Sequence, residues 1–259
     1  MLSVRVRKFC IVIATAAVVF SACGSAKLAD SANPSELSGS ITVLAASSLT
    51  NGFTALGTEF EAANPGTKIT FDFGSSSDLE TQIEQGAPGD VFASADQKNM
   101  DKVVKAGANA AAPGNFAKNK LEIAVERGNP KHIATLNDLT KGGLSIVLCD
   151  STVPCGKFAD QVLSNAKVDL TPKSREQSAK ATLSKVELGE ADAAIVYVSD
   201  VASSGKVDGV AIPEAVNVVT TLPIVALKES GNAAVSAAWV SFVLAHQSEL
   251  VTKYGFLAL

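Results

Sequence analysis

From Ser40 onward the chain repeats one alternation: a short β-branched or apolar run, then a stretch with apolar residues at helical spacing. Residues 41–45 read as a strand, and Leu49, Phe53, Leu56 and Phe60 share one helix face that ends at Asn64-Pro65-Gly66. Residues 68–73 form the next strand, and Leu79 and Ile83 mark a short helix ended by Gly86. Residues 90–93 are a third strand, with Met100, Val103 and Val104 on the helix after it. Residues 121–125, 144–149, 193–198 and 222–227 are further strands. Leu183 and Val186 lie on a helix between two of them, and Val235, Ala238, Trp239, Phe242 and His246 face one way on a C-terminal helix. This rhythm limits the chain to the α/β class, with mostly parallel sheets flanked by helices. At 259 residues it suits two lobes of roughly 100 residues each. Aromatics are only 5% of the chain, so Ala, Val, Leu and Ile fill most of the core.

The first residues follow a different logic. Arg5, Arg7 and Lys8 precede an apolar run over residues 9–20, and Ser21-Ala22-Cys23 follows. That is the order of an export signal over residues 1–22. The run is about a dozen residues, short of the ~20 a membrane-spanning helix needs; an uncleaved N-terminal anchor is the alternative. Small residues before Cys23 resemble the lipobox of bacterial lipoproteins, which implies export and a lipid on Cys23 at the outer face of the cell membrane. Residues 23–39, a mixture of Ser, Ala and Gly with Asn33 and Pro34, read as a flexible tether. Loss of residues 1–22 takes three of the 22 basic residues and none of the 26 acidic ones, leaving a formal charge of −7. So acidic a chain gains no long-range attraction for an anion. It also lacks the long basic run of a nucleic-acid binder.

Familiar catalytic motifs are missing from the sequence. There is no phosphate loop with a following Lys, no zinc-type Cys/His spacing and no Gly-x-Ser-x-Gly turn. His132 follows Pro130-Lys131 in a loop and His246 lies on the last helix; structural or surface roles suit both. The chemistry-bearing residues are hydroxyls at strand-to-helix junctions. Ser47-Ser48 follows the first strand, and Gly74-Ser75-Ser76-Ser77 follows the second. The carboxyl ends of strands in α/β sheets form the ligand crevice. Helix starts there present unpaired N–H groups and partial positive charge, so two such ends can hold an anion without Arg or Lys. Plain helix capping is the competing reading, since Ser is a favoured N-cap. Tyr197 ends the apolar stretch Ala194-Ile195-Val196-Tyr197. It either points a phenolic donor into the crevice or is a core Tyr bonded to backbone. Val153-Pro154-Cys155-Gly156 makes a further strand–loop–helix junction.

Five stretches together resemble the molybdate-binding proteins of bacterial ABC importers: Ala45-Ala46-Ser47-Ser48-Leu49-Thr50, Phe73-Gly74-Ser75-Ser76-Ser77, the run from Gly86-Ala87-Pro88-Gly89 to Ser94-Ala95-Asp96, Val153-Pro154-Cys155-Gly156, and Ile195-Val196-Tyr197-Val198-Ser199-Asp200. Tyr254-Gly255-Phe256 fits as well. The resemblance implies a two-lobed type II periplasmic-binding-protein fold with the ligand in the cleft between lobes. Residues 40–120 plus 221–259 would form lobe 1 and residues 121–220 lobe 2. It implies ligand contacts through the hydroxyls and backbone of Ser48 and Ser76, the N–H groups of Cys155 and Ala179, and the Tyr197 phenol. Ala179 is placed by its spacing to Tyr197. Further implications are a monomer that delivers molybdate or tungstate to a membrane permease, with no cofactor, no catalysis, no nucleic acid and no direct cation ligand, molybdenum being held as its oxyanion.

The chemistry of such a ligand agrees. A dianion with acceptors only suits a pocket of donors and disfavours hydrogen phosphate, whose proton needs an acceptor. Sulfate would be refused by cavity size. Another tetrahedral oxyanion, such as sulfate or phosphate, is the alternative ligand, and a Ser or thiol hydrolase the alternative class. Iron capture would need more anionic oxygens than Tyr197 and Tyr254 supply. Finally, with Cys23 committed to lipid, Cys149 and Cys155 remain as one pair outside the export signal. An oxidising compartment and a short Pro-containing loop favour a disulfide, two buried thiols being the alternative.

Overall fold

The computed structural model describes residues 37–259. The export segment, Cys23 and most of the expected tether lie outside them.

Nine strands form one sheet in the order β2-β1-β3-β9-β4-β7-β5-β6, with β8 paired to β4. Strand β1 (Ser38–Ala46) pairs in parallel with β2 (Gly66–Gly74) and β3 (Val91–Ala93). At the other end β5 (Ile146–Cys149) pairs in parallel with β6 (Ser174–Glu176) and β7 (Ala193–Tyr197). The middle of the sheet is antiparallel. Strand β4 (Gly114–Glu126) runs against β9 (Val219–Ala226) over its first half, and against β7 and β8 (Val207–Ala211) over its second. Its partners change between Lys120, which faces Val219, and Leu121, which faces Tyr197. The sheet is therefore mixed, with the expected parallel pairs at its two ends.

Helices α1 (Thr50–Ala63), α2 (Ser76–Glu84), α3 (Gln97–Lys105), α4 (Pro154–Ala166), α5 (Ala179–Glu187), α6 (Val198–Ser204), α7 (Ala233–Ala245) and α8 (Gln247–Tyr254) cover the sheet. Period-two burial sets the faces. In β7, Ala193, Ile195 and Tyr197 enter the main core, whereas Ala194 and Val196 pack on the opposite side with Leu183 and Val186 of α5. In β1, Ile41, Val43 and Ala45 face the main core and Leu44 packs with Leu79, Phe92 and Met100.

Some elements start or end elsewhere than expected. Strand β1 begins at Ser38 because its first residues, though exposed, already pair with Gly66 and Thr67. Strand β4 extends well ahead of residue 121, where Asn115, Lys118, Asn119 and Lys120 hide the strand from a hydropathy pattern. The C-terminal helix is two helices, with His246 at the joint. Its imidazole stacks on Phe242, centroids 3.8 Å apart, and its Nδ1 lies 2.7 Å from the Phe242 carbonyl.

The chain end returns to its beginning. Helix α7 packs on β1, β4, β9 and α1. Its Trp239 is fully buried, edge-on to Phe53 and Phe60 of α1 at 5.7 and 5.5 Å between centroids. Phe71 and Phe242 complete the aromatic cluster. Tilted and edge-on rings suit the aromatic quadrupole and add to the area they bury. Trp239→Ala is expected to cost about 3–5 kcal/mol of stability, because the rings around it cannot collapse into the space. Urea denaturation monitored by far-UV circular dichroism measures it; a loss under about 1 kcal/mol would mean that the cluster does not anchor the chain end.

Candidate functional site

Strand β1 delivers Ser47 and Ser48 in a single 3-10 turn (Ser47–Leu49) that leads into α1. Strand β2 runs into Ser75 and the start of α2, β5 into the start of α4, and β7 into Tyr197 and α6. The start of α5 joins them. The result is one cavity lined by Ser47, Ser48, Ser75, Ser76, Cys155, Ala179 and Tyr197, with Ala95, Pro154 and Ser178 among its other walls. All five expected ligand residues are thus brought together. The cavity volume is about 20 Å³, room for one compact ion and far below the ~300–1,000 Å³ of pockets for drug-sized ligands.

The hydroxyls divide into two groups. Ser75 and Ser178 are helix caps, accepting from Asp78 N–H and Ala181 N–H at 3.2 Å each. Ser48 and Ser76 are not. The Ser48 hydroxyl is buried without a partner among the described residues. Ser76 Oγ accepts from Ala95 N–H at 2.9 Å, which leaves its own hydrogen free to donate. Capping therefore accounts for two of the five serines in the wall; Ser47 Oγ accepts from Lys180 N–H, and Ser48 and Ser76 are left for a ligand. The Tyr197 phenol is likewise buried and unpartnered. A core Tyr tied to backbone would have used that oxygen.

Backbone donors converge on the same point. Ser76, Cys155 and Ala179 lie in the first turns of α2, α4 and α5, where N–H groups have no partner within the helix. Pro154 opens α4 at a position where its missing N–H costs nothing. Gly156 follows because α4 begins against the end of β5: a Cβ there would overlap the Asp150 carbonyl. Cys149 and Cys155 are joined by a disulfide, Cα atoms 5.8 Å apart. Cys149 Sγ also sits 3.2 Å from Thr182 Oγ1 of α5, so the bond connects two helix starts in the cavity wall.

Among the described residues no charged side chain lines the cavity. Lys180, beside it, gives its N–H to Ser47 Oγ at 3.4 Å while its amine pairs with Glu187 at 3.5 Å. Two carboxylates stand behind the wall. Burial raises Asp96 above the ordinary carboxylate range despite the Asn99 N–H it accepts. Burial likewise pushes Asp200 up to about 7, against the lowering effect of the Tyr197 N–H. Burial first, then Asp96 and Asp200, hold the Tyr197 phenol well above its usual range. The phenol is therefore a firm donor at neutral pH. His132 and His246 lie outside this wall. Among the described residues no group of three His, Cys, Asp or Glu gathers to hold a metal ion. The sequence signal for Ser178 is only a Ser before a helical stretch, and for Asp200 only an acid after Tyr197; neither distinguishes a cavity from an ordinary cap.

Residues 41–257 match the bacterial extracellular solute-binding protein family. The chain belongs to that family. The molybdate-binding protein ModA of Mycobacterium tuberculosis is 45% identical over 226 residues, which cover 86% of this chain and 87% of that protein. ModA of Escherichia coli is 34% identical, covering 96% of this chain and 98% of that one. In fold, this solute-binding protein is similar to the periplasmic molybdate-binding protein of Azotobacter vinelandii, with a TM-score of 0.74 at 19% identity over 85% of this chain and 99% of that one.

The disulfide predicts a thiol count. Cys149 and Cys155 are the only cysteines after Cys23, so the protein unfolded without reductant should show no titratable thiol from this pair, and two after reduction. Two thiols before reduction would exclude the bond.

Proposed function

We propose that this protein captures molybdate, and tungstate as well, in the cavity between Ser48, Ser76, Cys155, Ala179 and Tyr197. The observation that carries the reading is the buried, partnerless hydroxyl pair of Ser48 and Tyr197 facing a cavity without charged walls. Leaving polar groups unpaired in a closed protein is costly, and an acceptor-only oxyanion relieves each of them. Among the described residues no carboxylate lines the cavity, so a protonated phosphate would find only hydroxyl oxygens to accept its hydrogen. The relatives named as molybdate-binding proteins favour molybdate over sulfate as the occupant.

Residues 40–120 with 221–259 form one lobe in this reading, and residues 121–220 the other, with β4 crossing between them. Hydrogen bonds that would tie the lobes around a ligand run from Ser77 Oγ to the Thr152 carbonyl (3.0 Å), from Asn51 Nδ2 to the Ser203 carbonyl (3.0 Å) and from Asn119 Nδ2 to Ser199 Oγ (2.8 Å). Closure would exclude water and complete the donor shell. The loaded protein would then release its cargo to the permease of an ABC importer as a monomer, with binding rather than catalysis as its role.

Calorimetry with molybdate, tungstate, sulfate and phosphate tests the ligand. Ser48→Ala, Ser76→Ala and Tyr197→Phe should each weaken molybdate by about 1.5–3 kcal/mol, roughly ten- to a hundredfold. Reduction of the Cys149–Cys155 bond should weaken it as well, since the Cys155 N–H is then no longer held in place before binding. Unchanged affinity in both Ser variants, or sulfate bound as tightly as molybdate, would overturn the reading.

Anchoring is the second part. We propose that Cys23 is the first residue of the mature protein and carries the lipid that holds it at the outer face of the membrane. Mass spectrometry of the mature N-terminus should find a lipid-modified Cys23; an unmodified start at another residue would exclude it.

A further inference from the structure

The anion cavity has a neighbour. A crevice of about 10 Å³ shares Ser47 and Ser48 with it and is bounded by Asp200, Asn51, Lys180 and Ser203. Asp200 is 6% exposed. Among the described residues its carboxylate accepts one hydrogen bond, from Tyr197 N–H at 3.1 Å. The residue whose phenol lines the anion cavity is thus held from behind by a buried acid.

The charges around Asp200 do not neutralise it. Helix α5 presents Lys180, but its amine is shared with Glu187, which also accepts from Ser204 Oγ at 2.6 Å. Strand β4 presents Glu122, which burial pushes up to about 7. On β8, Asp208 accepts from Gly128 N–H at 2.7 Å, and on α8 Glu249 and Lys253 pair with each other at 2.8 Å. Strand β7 contributes only the neutral Tyr197. Asp96, the other carboxylate that acts on the phenol, accepts from Asn99 N–H at 2.8 Å and caps α3.

We propose that Asp200 is the proton site of the anion cavity, so that capture of a dianion takes up a proton onto this carboxyl group. The proposal rests on the oxyanion reading above. A dianion placed next to a buried carboxylate, with no cation in the wall, disfavours the ionised carboxylate. A proton is the one compensating charge that needs no further room. Protonation leaves one carboxyl oxygen able to accept from Tyr197 N–H, so the phenol keeps its place. The free carboxyl already titrates at about 7, and a neighbouring dianion raises it further. Uptake therefore occurs between about pH 7 and the higher value of the loaded protein. Well below pH 7 Asp200 is already neutral and binding needs no proton; as pH rises above 7, affinity falls.

Molybdate titration by calorimetry, repeated at pH 7.5 in buffers of different ionisation enthalpy, counts the proton. Between about 0.5 and 1 proton per anion is expected, with affinity falling by up to about tenfold per pH unit above 7. Asp200→Asn keeps the carbonyl acceptor and should abolish both the uptake and the slope. Its advantage over the wild type should grow from pH 6 to pH 8.5. Identical enthalpies in all buffers would overturn the proposal. So would uptake that persists in Asp200→Asn, or that disappears instead in Glu122→Gln or Asp96→Asn. Failure to bind molybdate at any pH would remove the functional reading and this proposal together, whereas binding without proton uptake removes this proposal alone.

Discussion

A small cavity with no charged wall can hold a polar ligand only if hydrogen-bond donors are already aimed at it. That requirement organises the molecule. Three helices begin at one point, each offering a first-turn N–H, and the 3-10 turn of Ser47 and Ser48 completes the ring. Fixed dipoles need no mobile side chain to come to order, so little freedom is lost when the site fills. The same economy explains why Pro154 and Gly156 bracket Cys155. One costs no hydrogen bond at the helix start, and the other lets α4 begin in contact with the end of β5.

The scaffold behind the cavity is stiff where it meets these helix starts. Ser75, Asp96 and Ser178 cap α2, α3 and α5 with their own side chains. The disulfide and the Cys149–Thr182 contact fix the start of α4 relative to α5. Arg175 adds a bond to the Cys149 carbonyl at 2.9 Å and an ion pair with Asp160 at 2.8 Å. Behind the serines, the aromatic cluster of Phe53, Phe60, Phe71 and Trp239 holds α1 against the sheet.

Much of this was legible in the residues, and the gaps have physical causes. Apolar periodicity located β1, β2, β3, β5, β7 and β9 because their side chains are buried on at least one face. It did not reveal the first half of β4, or β6 and β8, whose residues are polar or half-exposed and gain their order from backbone pairing. The serine clusters were visible as a group, yet only tertiary structure separates Ser75, spent on Asp78, from Ser76, free to donate. Tyr197 was recognisable by its place after an apolar run. The burial of Asp200 behind Tyr197 was not, because an acid three residues after a strand end is ordinary until its surroundings are known. The placement of α7 on β1 was hidden from any local pattern, which reports no contact across nearly two hundred residues; only the resemblance implied that residues 221–259 rejoin residues 40–120.

That last contact makes part of the core discontinuous along the chain. Phe53 and Phe60 of α1 meet Trp239 of α7, and Phe60 also meets Phe242, so these rings come together only by closing a long loop of chain. Contacts of such high sequence separation form more slowly than local ones, so the ring-bearing face of α1 stays open until α7 docks on it.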